Sequence, residues 1–134
     1  MYKHILAAVV IVVSLVTIMS YFTYVSAVNE KNPTKCSEIP LKEFRDPCYA
    51  SLGVLKLDRE LCLNAENPDE MNRCLGVVDM EPSLCEKISN QNSKDFCYYY
   101  LAFRTWNPMI CDLVESNEKR AECRQNCPTK APSN

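Results

Sequence analysis

Charged side chains almost vanish from the first 28 positions of this 134-residue chain, where Lys3 stands alone, and polar stretches then return in a regular rhythm. Ile5 to Tyr24 is a run of twenty uncharged residues with neither Gly nor Pro. At about 1.5 Å of rise per residue, a helix of that length crosses a hydrocarbon core of roughly 30 Å. The pattern predicts a transmembrane anchor over residues 1–28, with Tyr21, Phe22 and Tyr24 at its outer end, where amphipathic rings favour the interface. Beyond it, apolar residues recur three and four apart between short polar or Pro-containing stretches, the period of amphipathic helices. Strands lack their punctuation: the two glycines, Gly53 and Gly76, form none of the Asn-Gly or Asp-Gly dipeptides that hairpins favour. The predicted fold class is all-α.

The rhythm is an internal repeat. Nine cysteines, all beyond the apolar run, are separated by 12, 14, 12, 11, 12, 14, 12 and 4 positions. Four units therefore begin 26, 23 and 26 residues apart. Their first cysteines follow Asn32-Pro33, Asp58-Arg59, Glu81-Pro82 and Asn107-Pro108. An Asn or Asp side chain caps a free N–H, and Pro needs none in the first turn, so a short helix is expected to start at each place. Ile39, Ala65, Ile88 and Val114 come three residues after those cysteines, and polar connectors follow. The second helix of each unit carries the second cysteine, with Leu52, Val78, Leu101 or Cys127 four residues later on the same face.

In an antiparallel hairpin, residues equally far from the turn lie opposite each other, so the midpoint of a bridged pair should fall at the turn. Midpoints of the twelve-spaced pairs are Lys42, Pro68, Gln91 and Asn117, all in or beside polar connectors. Pairing across units gives unequal spacings instead. The expected disulfides are Cys36–Cys48, Cys62–Cys74, Cys85–Cys97 and Cys111–Cys123. The chain then reads as a transmembrane helix followed by a short α-solenoid of four disulfide-stapled hairpins over residues 29–127, with a disordered tail at 128–134. Cys127 is left over, as a buried apolar side chain or as a thiol for an intermolecular bridge or for exchange with Cys123.

Charge narrows the partners. All 17 acidic residues, and all but Lys3 of the 15 Lys and Arg, lie beyond Val28, so no basic excess is present to hold a nucleic acid. So many cysteines downstream of an export signal imply the oxidising side of a membrane. The expected location is a single-pass membrane protein with its C-terminal domain extracytoplasmic. The alternative is a secreted chain cleaved after Val25-Ser26-Ala27, whose small residues resemble a signal-peptidase site. The length of the apolar run favours the anchor.

Catalytic constellations are sparse. The one histidine, His4, adjoins the apolar run, so Ser-His-Asp and Cys-His arrangements cannot form in the ectodomain. No Cys-x-x-Cys pair, calcium loop or Gly-rich phosphate loop occurs, and neither metal nor cofactor is expected. Asp46, Asp69, Glu70 and Glu122 read as solvated helix faces. The aromatic run Tyr98-Tyr99-Tyr100 with Trp106 offers a possible interface, with Tyr99 outward and Tyr98 and Tyr100 flanking the packed side. The alternative, which the usual burial of such rings favours, is that they fill space between units three and four.

The segments Pro82-Ser83-Leu84-Cys85-Glu86-Lys87-Ile88, Lys94-Asp95-Phe96-Cys97-Tyr98 and Arg45-Asp46-Pro47-Cys48-Tyr49 resemble a degenerate Cys-containing helical repeat of uncharacterised prokaryotic, notably archaeal, surface proteins. Unit two departs from it with Arg73-Cys74-Leu75, and unit four has Arg124 in place of Tyr. The resemblance implies a secreted α-solenoid without assigning an activity. The function expected is a membrane-anchored binding or scaffold module with a protein partner and no catalysis. A small accessory subunit of a membrane complex is the alternative, and a thiol-redox protein a distant third.

Overall fold

The computed structural model describes residues 2–129. Helix α1 runs over Tyr2–Asn29 and is long and apolar enough to cross a membrane. Short and long helices then alternate: α2 (Thr34–Ser37), α3 (Lys42–Lys56), α4 (Arg59–Leu63), α5 (Pro68–Val78), α6 (Pro82–Glu86) and α7 (Gln91–Thr105). A 3-10 helix, Pro108–Leu113, and α8 (Asn117–Asn126) complete the chain, and the described residues contain no strand. Of the predicted tail, residues 130–134 lie outside the described residues.

Local chemistry sets most of these boundaries. Side chains of Asp58, Glu81 and Asn107 accept backbone N–H bonds at the starts of α4, α6 and the 3-10 helix, and Asn32 does the same one residue ahead of the N-cap of α2. Asn67, Asn90 and Ser116 cap α5, α7 and α8. Leu41, ahead of α3, has no side chain able to cap. The bridge midpoints Lys42, Pro68, Gln91 and Asn117 are each the first residue of a second helix.

Disulfides Cys36–Cys48, Cys62–Cys74, Cys85–Cys97 and Cys111–Cys123 join the helices of each unit at Cα separations of 5.4–5.7 Å. All eight sulfurs are buried. Ile39, Ala65, Ile88 and Val114 lie at 3% exposure or less, as their place three residues past the first cysteine predicts. Leu52 and Leu101 are fully buried against the bridges of their own units, whereas in unit two Val78 is only half-buried against the Cys62–Cys74 cluster and its neighbour Val77 is buried in the cluster of unit three. The cause is length: Cys74 and Cys85 are only 11 residues apart, so α5 ends a turn earlier and its neighbour packs closer to the bridge.

A second periodic feature explains how units join. Nine residues before each unit's first cysteine stands a small residue, Ala27, Gly53, Gly76 or Ala102. Its carbonyl accepts a bond at 2.9–3.0 Å from the N–H of Asn32, Asp58, Glu81 or Asn107. One residue before each of these donors, Lys31, Leu57, Met80 and Trp106 adopt left-handed backbone with φ of 52–56°. This is the Schellman way of ending a helix, here without the usual glycine. The small residue then lies against the next bridge. Ala27 clusters with Cys36 and Cys48, and Ala102 with Cys111 and Cys123. A Cβ on Gly53 would overlap Cys74 Sγ and stand 2.9 Å from Cys62 Sγ.

Gly53→Ala is therefore expected to lower stability by about 1–3 kcal/mol through overpacking, although Gly to Ala inside a helix ordinarily gains up to about 1 kcal/mol. The alanines at the equivalent places in units one and four show that the cost is repacking, not exclusion. Thermal denaturation of the full chain reads the sign, and a raised Tm would overturn the close approach.

Candidate functional site

The long helices lie side by side and point the same way. Tyr21 on α1 meets Phe44 near the start of α3, and Ala27 packs with Cys48 and Leu52 further along it. Carboxylates near the starts of α3, α5 and α7 reach the capping turns of the next long helix. Asp46 Oδ2 accepts the Asn67 N–H at 2.8 Å. Asp69 accepts the N–H groups of Ser89 and Asn90, both at 2.9 Å. Asp95 accepts those of Glu115 and Ser116 at 2.9 and 3.0 Å, with Gln91 Nε2 adding a third bond at 2.9 Å.

Each of these carboxylates fastens one unit to the connector of the next. Asp46 and Asp69 are therefore not the solvated helix-face residues that the sequence suggests. Asp46 and Asp95 are 1% and 2% exposed, and Asp69 is half-buried. Burial pushes the Asp95 carboxyl up, but the N–H bonds from Glu115, Gln91 and Ser116, with Lys119 nearby, outweigh it and hold the group below the ordinary aspartate value. Asp46 has only one such bond, and its Oδ1 is buried without a partner. Glu70 is likewise withdrawn from solvent, bound to Arg73 Nε and Nη2 at 3.0 and 2.6 Å.

Parallel long helices leave a groove between α1 and α7, floored by α3 and α5. Its middle section, about 290 Å³, is lined by Tyr24, Ser51, Val54, Arg73 and Tyr100. Towards the helix starts it continues into a polar cleft of about 380 Å³ holding Glu70, Arg73, Ser93 and Phe96. At the far end lies an apolar cleft of about 360 Å³ with Val54, Val77, Phe103, Arg104 and Trp106. Phe96 and Tyr100 stack at 6.3 Å on one wall and are 37% and 40% exposed. Arg104 Nε is buried there without a hydrogen-bond partner.

The aromatic run is placed differently from expectation. Tyr98 is 5% exposed and packs with Val77, Ile88, Leu101 and Val114, which leaves no surface for a partner. Tyr99 is half-buried, stacked on Phe103 at 4.9 Å, and its hydroxyl lies 3.3 Å from Glu122. Burial first, and then the Glu122 carboxylate, push its phenol pKa up. Tyr100 is the outward ring. The reason is that α7 is covered on two sides, by α5 and by the 3-10 helix with α8, so only the groove side is open. Trp106 is 39% exposed at the groove's far end.

Cys127 is 6% exposed, with its sulfur 3.4 Å from the Ala102 carbonyl, and burial pushes its thiol pKa up. Both features oppose thiolate chemistry. Maleimide is expected to label Cys127 at least tenfold more slowly in the native protein than in urea, and rapid native labelling would overturn the burial. Among the described residues, no cluster of three or more His, Cys, Asp or Glu side chains is placed to hold a metal.

Neither a family model, nor a curated protein, nor a solved structure matches this chain.

Proposed function

We propose that this chain is a single-pass, membrane-anchored α-solenoid that serves outside the cytoplasm as a binding or scaffold module, without catalysis. One observation carries the reading: α1 ends as α3, α5 and α7 do. It has a small buried residue, Ala27, nine before the first cysteine and a left-handed Lys31 five before it. Ser20 and Ala27 are fully buried, and Tyr24 packs on the cluster of unit one. The anchor is thus the first member of the stack, and each later unit covers the face its predecessor leaves open. At the other end, α8 presents a charged outer face, as a terminal unit requires.

Cleavage after Ala27 would strip the surface on which unit one packs, which supports the uncleaved anchor over the secreted form. Disulfides support an oxidising compartment, and Lys3 at the opposite end of α1 supports an inside amino terminus. The groove beside α1 supports the second reading, an accessory subunit of a membrane complex.

Intact mass of the membrane-extracted protein, followed by native mass measurement in mild detergent, tests both. The expected result is a chain retaining residues 1–28 and a stoichiometric protein partner. A chain starting at Val28 would end the anchor, and a partner-free protein at native abundance would end the binding module.

A further inference from the structure

Resting on the binding-module reading, we infer that the groove between α1 and α7 receives the extracytoplasmic end of a partner's transmembrane helix. That segment would carry apolar side chains on one face and a carboxylate near its far end.

Direction comes from α1. The groove follows α3 and α7, which run parallel to α1, so it is aligned with a helix that crosses the bilayer. On α3 its lining runs from Pro47 through Ser51 and Val54 to Leu57, about 15 Å or three helical turns. On α3 the middle of its floor is made of the short side chains Ser51 and Val54, Arg73 of α5 lies beside them, and its walls are Tyr24 on one side and Phe96 with Tyr100 on the other. A cylindrical segment with side chains fits such a trough.

Position comes from the length of the anchor. Ser20 is fully covered by the ectodomain, but Tyr21 and Phe22 on the other faces are 51% and 66% exposed, so the apolar part of α1 free to meet lipid is Ile5–Phe22. At 1.5 Å per residue it spans roughly 27 Å, no more than a hydrocarbon core of roughly 30 Å. Unit one therefore rests at the headgroups with no stalk, and the polar lower end of the groove opens there. A neighbouring span leaving the bilayer beside α1 enters the groove at once.

Chemistry comes from what the groove leaves unmatched. Of the nine large apolar side chains exposed outside α1, five line it, Leu55, Leu57, Phe96, Tyr100 and Trp106, while Leu63, Met80, Met109 and Leu113 are scattered elsewhere. Arg73 is neutralised by Glu70, but among the described residues Arg104 has no carboxylate partner, and its Nε is buried without an acceptor there. An anionic group on the occupant would complete it. A second copy of this chain is a poorer occupant. Its own emerging helix is already packed on its own α3, and Glu30, just past the end of that helix, is paired with Lys35 at 2.7 Å.

Photo-crosslinking in native membranes tests the assignment. Position 100 or 55 of the full chain carries p-benzoylphenylalanine, and positions 63 and 109, exposed outside the groove, serve as comparison. Crosslinked peptides from positions 100 and 55 are expected to map to within about three helical turns of the end of another protein's membrane span. Arg104→Gln should cut those yields at least fivefold while leaving the melting temperature within about 3 °C. Products with lipid, a soluble protein or a second copy overturn the inference, as do yields unchanged by Arg104→Gln. Crosslinks to a protein only from 63 or 109 overturn the groove but keep the binding module, and silence at all four positions overturns both.

Discussion

Asp95→Ala is expected to lower stability by about 2–5 kcal/mol, because it leaves the N–H groups of Glu115 and Ser116, which point into the site of the buried Asp95, without an acceptor. Each orphaned buried donor costs about 1–3 kcal/mol, more than the net worth of the bond that is lost. Asp95→Asn should recover only part of this, since an amide offers one accepting oxygen where the carboxylate uses two. The loss should be local as well as large. Hydrogen exchange is expected to rise first in the 3-10 helix and α8, which Asp95 fastens to α7. A uniform rise over all helices would show that the carboxylate does not hold this junction.

The same group sets an acid limit. A carboxyl whose pKa lies lower in the folded chain than in the unfolded one stabilises above its unfolded value, and the gain is lost as pH falls through its folded value. For Asp95 the folded value lies below the ordinary 3.8. Stability of the parent protein should be flat in this respect from pH 7 to about 4 and fall below that. The Asp95→Asn variant starts lower and should lack that component of the fall. Urea denaturation of both proteins at pH 6 and pH 3 separates the two curves.

Cysteine spacing is legible because a disulfide ties together residues whose separation is fixed by one hairpin. The midpoints of the four bridges accordingly fall on the first residues of α3, α5, α7 and α8. The joints between units are harder to read. Alignment on cysteines gives intervals of 26, 23 and 26, but Asp46, Asp69 and Asp95 recur at 23 and 26, in step with the caps Asn67, Asn90 and Ser116. A fixed interval from each Asp to the next turn was present in the chain, displaced by one helical turn in unit two. The left-handed joints carry Lys, Leu, Met and Trp instead of glycine, so their usual signal is missing. The outward tyrosine could not be chosen from a helical face alone. Which side of α7 stays open depends on both of its neighbours.

Removing a bridge should have the largest effect in the middle of the stack. Cys85→Ala with Cys97→Ala releases a loop closed over 12 residues, worth about 3 kcal/mol by the chain-entropy relation. Two fully buried sulfurs are lost as well, from a cluster with Val77, Ile88 and Leu101, which adds about 1–2 kcal/mol. The sum, about 4–5 kcal/mol, rivals the whole net stability of a small domain. The helices it releases, α6 with 5 residues and α7 with 15, are too short to persist without packing. Position then decides how far the damage spreads. Unit three contacts units two and four, so its loss should leave α8 without a surface. The equivalent change at Cys111 and Cys123 removes only the end unit. Hydrogen exchange is expected to show α3 and α5 protected in the second variant and partly exposed in the first, with melting temperatures ordered the same way. Equal losses from both would mean that the chain unfolds as one block, and the unit-by-unit stacking on α1 would have to be abandoned.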